Sequence, residues 1–141
     1  MGLYMIDKTT ASALLDAAAE ARKNSYAPYS HFLVGAALLT DSGKIYTGCN
    51  IENASFTPTN CAERTAIFKA VSEGEKNFTA IAVVGGAEES SVMDLCPPCG
   101  VCRQVLREFC ADSFEICLSD KNGDIKILTL GEILPYGFML D

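Results

Sequence analysis

Residues 61–86 read CAERTAIFKAVSEGEKNFTAIAVVGG. Cys61 to Glu73 predicts a helix that is apolar on several sides, through Ala62, Ala66, Ile67, Phe68, Ala70 and Val71. Such a helix is usually buried. Phe78 to Val84 is an apolar run of strand length, and Gly85-Gly86 behind it reads as a turn, because no lysine or helix start follows to make a phosphate cradle. A buried helix feeding a buried strand is a crossover unit of an α/β sheet.

Working outward, Ala11, Leu14, Leu15 and Ala18 fall at i, i+3, i+4 and i+7, which predicts a helix over 9–26 that Pro28 stops. Phe32 to Thr40 and Lys44 to Asn50 read as a hairpin turning at Asp41-Ser42-Gly43, with a loop over 51–60. Downstream, residues 99–110 predict a third helix with Pro98 near its first position. Phe114 to Ser119 and Ile125 to Leu130 are strands around the turn pair Asn122-Gly123, and a short, partly irregular tail follows. The order αββαβαββ predicts an α/β fold, a mixed five-stranded sheet with helices on its faces. Crossovers through the second and third helices lay strands parallel.

At 141 residues the chain is expected to be a single domain, residues 1–141. Hydrophobic residues at 49% and charged residues at 21% exclude disorder. No apolar run reaches the ~20 residues of a membrane helix, so no membrane partner is expected. Met1 to Asp7 carries no secretion signal, and Ile6 breaks the myristoylation pattern that Gly2 begins. The net charge of −7 repels polyphosphate, which argues against nucleic acid and leaves room for a small neutral ligand. Seven cysteines, an odd number without secretory context, favour cytosolic thiols or a metal site over a disulfide framework.

Two cysteine groups stand at predicted helix starts: Cys61-Ala62-Glu63 and Pro98-Cys99-Gly100-Val101-Cys102. A C-x2-C pair plus one distant cysteine is zinc-ligand spacing, and the helix dipole at each N-terminus favours thiolate. Cys99 and Cys102 are i, i+3 on a stripe with Val105, Leu106 and Phe109, so the pair is expected to face the core. Three protein ligands leave one tetrahedral position for a water, whose pKa zinc brings to about 7. Glu63 is the carboxylate placed to move its proton. On a regular helix residues 61 and 63 point roughly 200° apart, so Cys61 must lie at or before the N-cap. A capping box from Asn60 to Glu63 is the bland alternative. Three thiolates against one divalent ion leave net negative charge, and Arg64, ahead of Arg103, is the cation expected to draw charge off the sulfurs.

These residues resemble the zinc-dependent nucleoside deaminases, whose signature is H-x-E, or its cysteine variant, with P-C-x-x-C. With Tyr26-Ala27-Pro28-Tyr29-Ser30, Phe32-x-Val34-Gly35-Ala36-Ala37, Gly48-Cys49-Asn50-Ile51-Glu52-Asn53-Ala54-Ser55 and Cys102-Arg103-Gln104, the chain resembles the small homotetrameric cytidine deaminases over about residues 10–138. The resemblance implies a three-layer α-β-α sandwich and one zinc per chain on Cys61, Cys99 and Cys102. Glu63 would take a proton from zinc-bound water, deliver it to pyrimidine N3 while hydroxide attacks C4, and protonate the departing ammonia. Asn50 and Glu52 match the pair that hydrogen-bonds ribose, Phe32 an aromatic packed on the pyrimidine, Ala62 a backbone contact to the base, and Phe138 a tail aromatic reaching a neighbouring subunit's site. The implied protein is a cytoplasmic homotetramer of pyrimidine salvage, with sites at subunit interfaces, acting on cytidine and deoxycytidine.

Three departures stand out: Cys96 makes C-x2-C-x2-C, Phe56 replaces a common tyrosine, and His31 lies outside the metal motif. Other readings are a closed four-thiolate zinc module including Cys96, a dithiol redox protein using Cys96-Pro97-Pro98-Cys99, and a deaminase of a modified nucleoside such as blasticidin S.

Overall fold

The computed structural model of the chain describes residues 6–141, so most of the N-terminal pattern around Gly2 lies outside the described residues. The elements are α1 (Lys8–Ala21), a 3-10 turn (Arg22–Asn24), β1 (Phe32–Thr40), β2 (Ile45–Cys49), α2 (Ala62–Ser72), β3 (Phe78–Ala87), α3 (Gly100–Phe109), β4 (Glu115–Ser119), β5 (Ile125–Thr129) and a single turn, α4 (Leu130–Ile133). Asp7 caps α1 by accepting the Thr10 N–H at 2.8 Å. The helix ends at Ala21, before Pro28 can stop it. Arg22 keeps αR backbone in the 3-10 turn that follows directly, so helical backbone runs on to Asn24. Its side chain reaches the sheet: Nε donates to the Leu33 carbonyl at 3.0 Å and Nη2 to that of Gly86 at 2.8 Å.

The sheet runs β2-β1-β3-β4-β5. β1 is antiparallel to both β2 and β3. The crossover through α2 therefore joins two parallel strands, β2 and β3, with β1 between them. The crossover through α3 joins β3 to its parallel neighbour β4, and β5 returns antiparallel. Side chains alternate across the pleat. Ala36 and Leu38 of β1, Ile81 and Val83 of β3, and Ile116 and Leu118 of β4 pack with α2, α3 and α4. Ala37, Ala80, Ala82, Val84 and Cys117 face Leu14, Leu15 and Ala18 of α1 on the other side. The result is a mixed five-stranded sheet with helices on both faces, as the element order predicts, and the three-layer α-β-α sandwich that the family resemblance implies.

Gly85-Gly86 is not a turn. β3 continues through both residues to Ala87, pairing Gly85 with Val34 and Gly86 with Leu33. The glycines serve packing instead. A Cβ on Gly85 would lie 2.7 Å from Cys96 Sγ and 3.0 Å from Phe32 Cε1. Gly48 on β2 has the same use under α2: its Cβ would lie 2.4 Å from the Ala62 carbonyl oxygen and 2.6 Å from the Ala66 nitrogen. The first turn of α2 thus rests directly on the strand that leads into Asn50.

Candidate active site

α2 and α3 both begin at a cysteine. Cys61 is the N-cap of α2 with φ −74° and ψ 155°, and Cys99 is the N-cap of α3 with φ −69° and ψ 168°. This extended backbone resolves the angular problem between Cys61 and Glu63. It also removes the capping-box alternative, since Asn60 precedes the cap and donates its Nδ2 to Thr65 Oγ1 at 3.1 Å. Pro98 likewise falls before the cap rather than inside the helix. Cys99 and Cys102 do not share a core-facing stripe. Cys102 is buried and Cys99 is exposed, because a residue at an extended N-cap is outside the helical phase of residue i+3.

The sulfurs of Cys61, Cys99 and Cys102 all lie within 4.8 Å of one another. Cys61 and Cys99 are 3.7 Å apart. Tetrahedral zinc with bonds of about 2.3 Å holds sulfurs about 3.8 Å apart, so this edge already fits the ion. Among the described residues this is the one such group, and Cys96 is not in it. The described geometry is therefore a three-sulfur site and not a closed four-thiolate one. Burial first, then Glu63, pushes the Cys96 thiol up to about 11, which suits it poorly to dithiol exchange.

Arg64 Nη2 donates to Cys61 Sγ at 3.2 Å. The Cys61 thiol is pulled down to about 5, first by a hydrogen bond from Cys102 and then by those from Arg64 and Cys99. Cys102, the donor to Cys61, is pushed up in turn. Burial acts to lower Arg64, but its hydrogen bonds to Cys61 and Cys102 outweigh this and hold the guanidinium charged. The expected cation is thus in place on the sulfurs. Arg103 is elsewhere: its Nε donates to the Pro98 carbonyl and its Nη1 to that of Ile133, both at 2.7 Å.

A cavity of about 210 Å³ opens on the cluster, with Asn50, Glu52, Cys61, Ala62, Glu63 and Cys99 on its wall. Glu63 is 4% exposed. Burial pushes its carboxyl up to about 7, with the Cys61 charge adding to the shift. Such a group can both accept and donate a proton near neutral pH. Asn50 spans β1 as a strand residue would: its Oδ1 accepts the Val34 N–H and its Nδ2 donates to the Phe32 carbonyl, both at 2.9 Å. Glu52 Oε1 accepts the N–H groups of Tyr29 at 3.0 Å and Ser30 at 3.2 Å.

Phe32 is half-buried behind the wall, over Gly85 beside Cys96. Phe138 is exposed and off this wall, its carbonyl accepting the Gln104 amide at 3.1 Å. Thr59 and Pro97 also line the cavity. Neither carries a chemical signature in sequence, and only the return of loop 51–60 toward α2 puts Thr59 there.

A buried carboxyl thus stands beside a three-sulfur cluster, able to hold a metal ion, at two helix starts and under a small cavity. The family model for the cytidine and deoxycytidylate deaminase zinc-binding region matches residues 8–118. A cytidine deaminase of Sporosarcina psychrophila is 51% identical over 119 residues, 84% of each chain. One of Halalkalibacterium halodurans is 49% identical over 125 residues, 89% of this chain and 91% of that one. The crystal structure of cytidine deaminase from Burkholderia pseudomallei superposes with a TM-score of 0.80 at 47% identity, covering 90% of this chain and 98% of that one. The chain belongs to the cytidine deaminase family.

Proposed function

We propose that the protein hydrolyses cytidine and deoxycytidine to uridine and deoxyuridine, releasing ammonia. The observation that carries this reading is Glu63, buried on the wall of a cavity of about 210 Å³ beside the Cys61–Cys99–Cys102 cluster. Cys61, Cys99 and Cys102 would hold zinc, which supplies Lewis-acid activation of water when bound. Glu63 takes a proton from the attacking water and hands it to N3 of the ring. Once the water oxygen is bonded to C4, Glu63 takes the proton left on that oxygen and delivers it to the leaving nitrogen, so that the C4–N4 bond breaks, ammonia departs and the C4 carbonyl forms. Arg64 withdraws charge from Cys61, so three thiolates do not quench the electrophile.

Ala62, on the first turn of α2, contacts the base through its backbone, and Phe32 packs on the pyrimidine. Asn50 and Glu52 take the ribose. Asn50 keeps one amide hydrogen and one lone pair beyond its bonds to β1, enough for one hydroxyl.

The catalytic unit is the single domain of residues 1–141, working as a cytoplasmic homotetramer in pyrimidine salvage. In it Phe138 reaches a neighbouring copy's cavity. The exposed Tyr26, Phe56, Phe138 and Leu140 support burial of this surface between copies, and seven free thiols suit a reducing compartment. Among the described residues no helix is long and apolar enough to cross a membrane.

The test is ammonia release from cytidine by wild type and Glu63→Gln, with zinc counted in both. Glu63→Gln should keep its zinc and lose turnover by at least about 10²–10⁴-fold, the usual worth of a proton carrier. Near-normal turnover in that variant would remove Glu63 from the mechanism.

A further inference from the structure

The loop ahead of β1 joins the two ends of the proposed nucleoside site through one hydroxyl. Ser30 Oγ donates to Glu52 Oε2 and accepts the Phe32 backbone N–H at 3.1 Å. His31 between them has φ 55°, in the left-handed region, and its N–H donates to the Ala27 carbonyl at 3.0 Å. The chain therefore doubles back, which brings the Phe32 N–H onto the Ser30 hydroxyl. Oε1 of the same Glu52 carboxylate accepts the backbone N–H groups of Tyr29 and Ser30.

A carboxylate has about four lone-pair sites for hydrogen bonds, and the chain fills three of them here. No lysine or arginine pairs with Glu52 among the described residues. Its ionised form is held by these donors, with Ser30 the foremost. Glu52 also stands on the boundary of two spaces. One is the cavity on the cysteine cluster. The other, of about 420 Å³, is lined by Tyr29, Ser30 and Phe56. A free carboxylate on such a boundary would sample both.

We propose that Ser30 is a positioning residue for substrate binding: its hydroxyl fixes Glu52 so that one remaining lone pair takes a single sugar hydroxyl, in register with Phe32 on the base side. This rests on the reading of Glu52 as a ribose contact. It adds that the contact is prearranged by a residue which itself touches no substrate. Two of the three bonds to Glu52 come from backbone and survive any substitution. The Ser30 hydroxyl is the one bond a side-chain change removes.

The experiment compares kcat and KM for wild type, Ser30→Ala, Ser30→Thr, Glu52→Gln and the double variant Ser30→Ala/Glu52→Gln. The substrates are cytidine and 2′,3′-dideoxycytidine, and zinc content and melting temperature are recorded for each variant. Ser30→Ala should raise KM for cytidine about tenfold, the scale of one hydrogen bond to a charged group, with kcat within about twofold of wild type. Ser30→Thr should restore KM. The effect should shrink with the dideoxy substrate and vanish in the Glu52→Gln background. An unchanged KM in Ser30→Ala, while Glu52→Gln raises it, overturns the role of Ser30 and spares that of Glu52. The same holds for a rise of equal size in both backgrounds, or a parallel loss of zinc, melting temperature and kcat that Ser30→Thr does not repair. An unchanged KM in Glu52→Gln overturns the ribose reading itself, and the Ser30 proposal with it.

Discussion

With zinc on Cys61, Cys99 and Cys102, as proposed, Arg64 is the side chain that would act on the charge of the metal site. Three thiolates would bring −3 to an ion of +2, and the guanidinium hydrogen-bonded to Cys61 would offset part of the excess. Removing it should weaken the electrophile without dismantling the cluster. Arg64→Gln is expected to retain zinc while kcat/KM for cytidine falls about 10–100-fold, the usual range for a partner that orients or tunes a ligand. Loss of zinc from that variant would make Arg64 a folding element of the site instead. At this scale the sequence was informative because chemistry has few spellings. Cys61, Glu63, Cys99 and Cys102 are legible as a metal-and-carboxylate set from residue type and spacing, and the N-cap place of Cys61 follows from the angle that set demands. Ser30 and Thr59 were not legible in the same way. A serine or threonine in a polar loop gains meaning only from the partner that folding brings to it, here 22 residues away for Ser30 and Glu52.

Elements are held in place by contacts of two kinds, close backbone approach and side-chain clips. Gly48 is the first kind. Gly48→Ala would drive a methyl group into the Ala62 carbonyl and the Ala66 nitrogen, both backbone atoms that cannot rotate aside. It should cost about 1–3 kcal/mol of stability by overpacking, and a larger share of turnover, because the displaced turn carries Cys61 and Glu63. Thermal melting and ammonia release read the two losses. Glu75 is the second kind. It follows α2 and accepts from Ser42 in the hairpin turn at 2.5 Å and from the Tyr46 hydroxyl on β2 at 2.8 Å. Ser42 first, then Tyr46, lowers its pKa below the ordinary 4.5. The folded state therefore gains from the ionised form. That gain is complete above the unfolded value and disappears as pH falls through the lower folded one. Melting temperature should decline between about pH 5 and pH 3 less steeply in Glu75→Gln than in wild type. Helix and strand order were legible from periodicity, since a buried helix and a paired strand have different repeats. Element ends were less so. α1 tightens at Arg22 into a 3-10 turn where its backbone lies against Gly35 of β1, and β3 runs on through two glycines because Gly85 and Gly86 stay paired with Val34 and Leu33 of β1. Both causes are tertiary and leave no local pattern.

At the scale of the whole molecule, one chain presents several exposed aromatic side chains, among them Tyr26, Tyr29, Phe56 and Phe138. Assembly of four copies would bury them. Light scattering should give a mass of about four chains of 15.1 kDa. Phe138→Ala should lower kcat/KM while leaving that mass unchanged, since its side chain lies off its own cavity; a monomer in solution would end the cross-subunit role of Phe138. The two cysteine-capped helices have one more consequence. Cys61 and Cys99 are 38 residues apart along the chain and 3.7 Å apart in space. An ion bonded to both closes a ring of covalent and coordinate bonds that encloses α2 and β3. Treated as a cross-link, such a ring removes about 4 kcal/mol of freedom from the unfolded chain, a share comparable with the whole net stability of many small domains. The tether that arms the enzyme chemically is thus also its topological fastener, and a cell short of the metal would face a looser protein as well as an idle one.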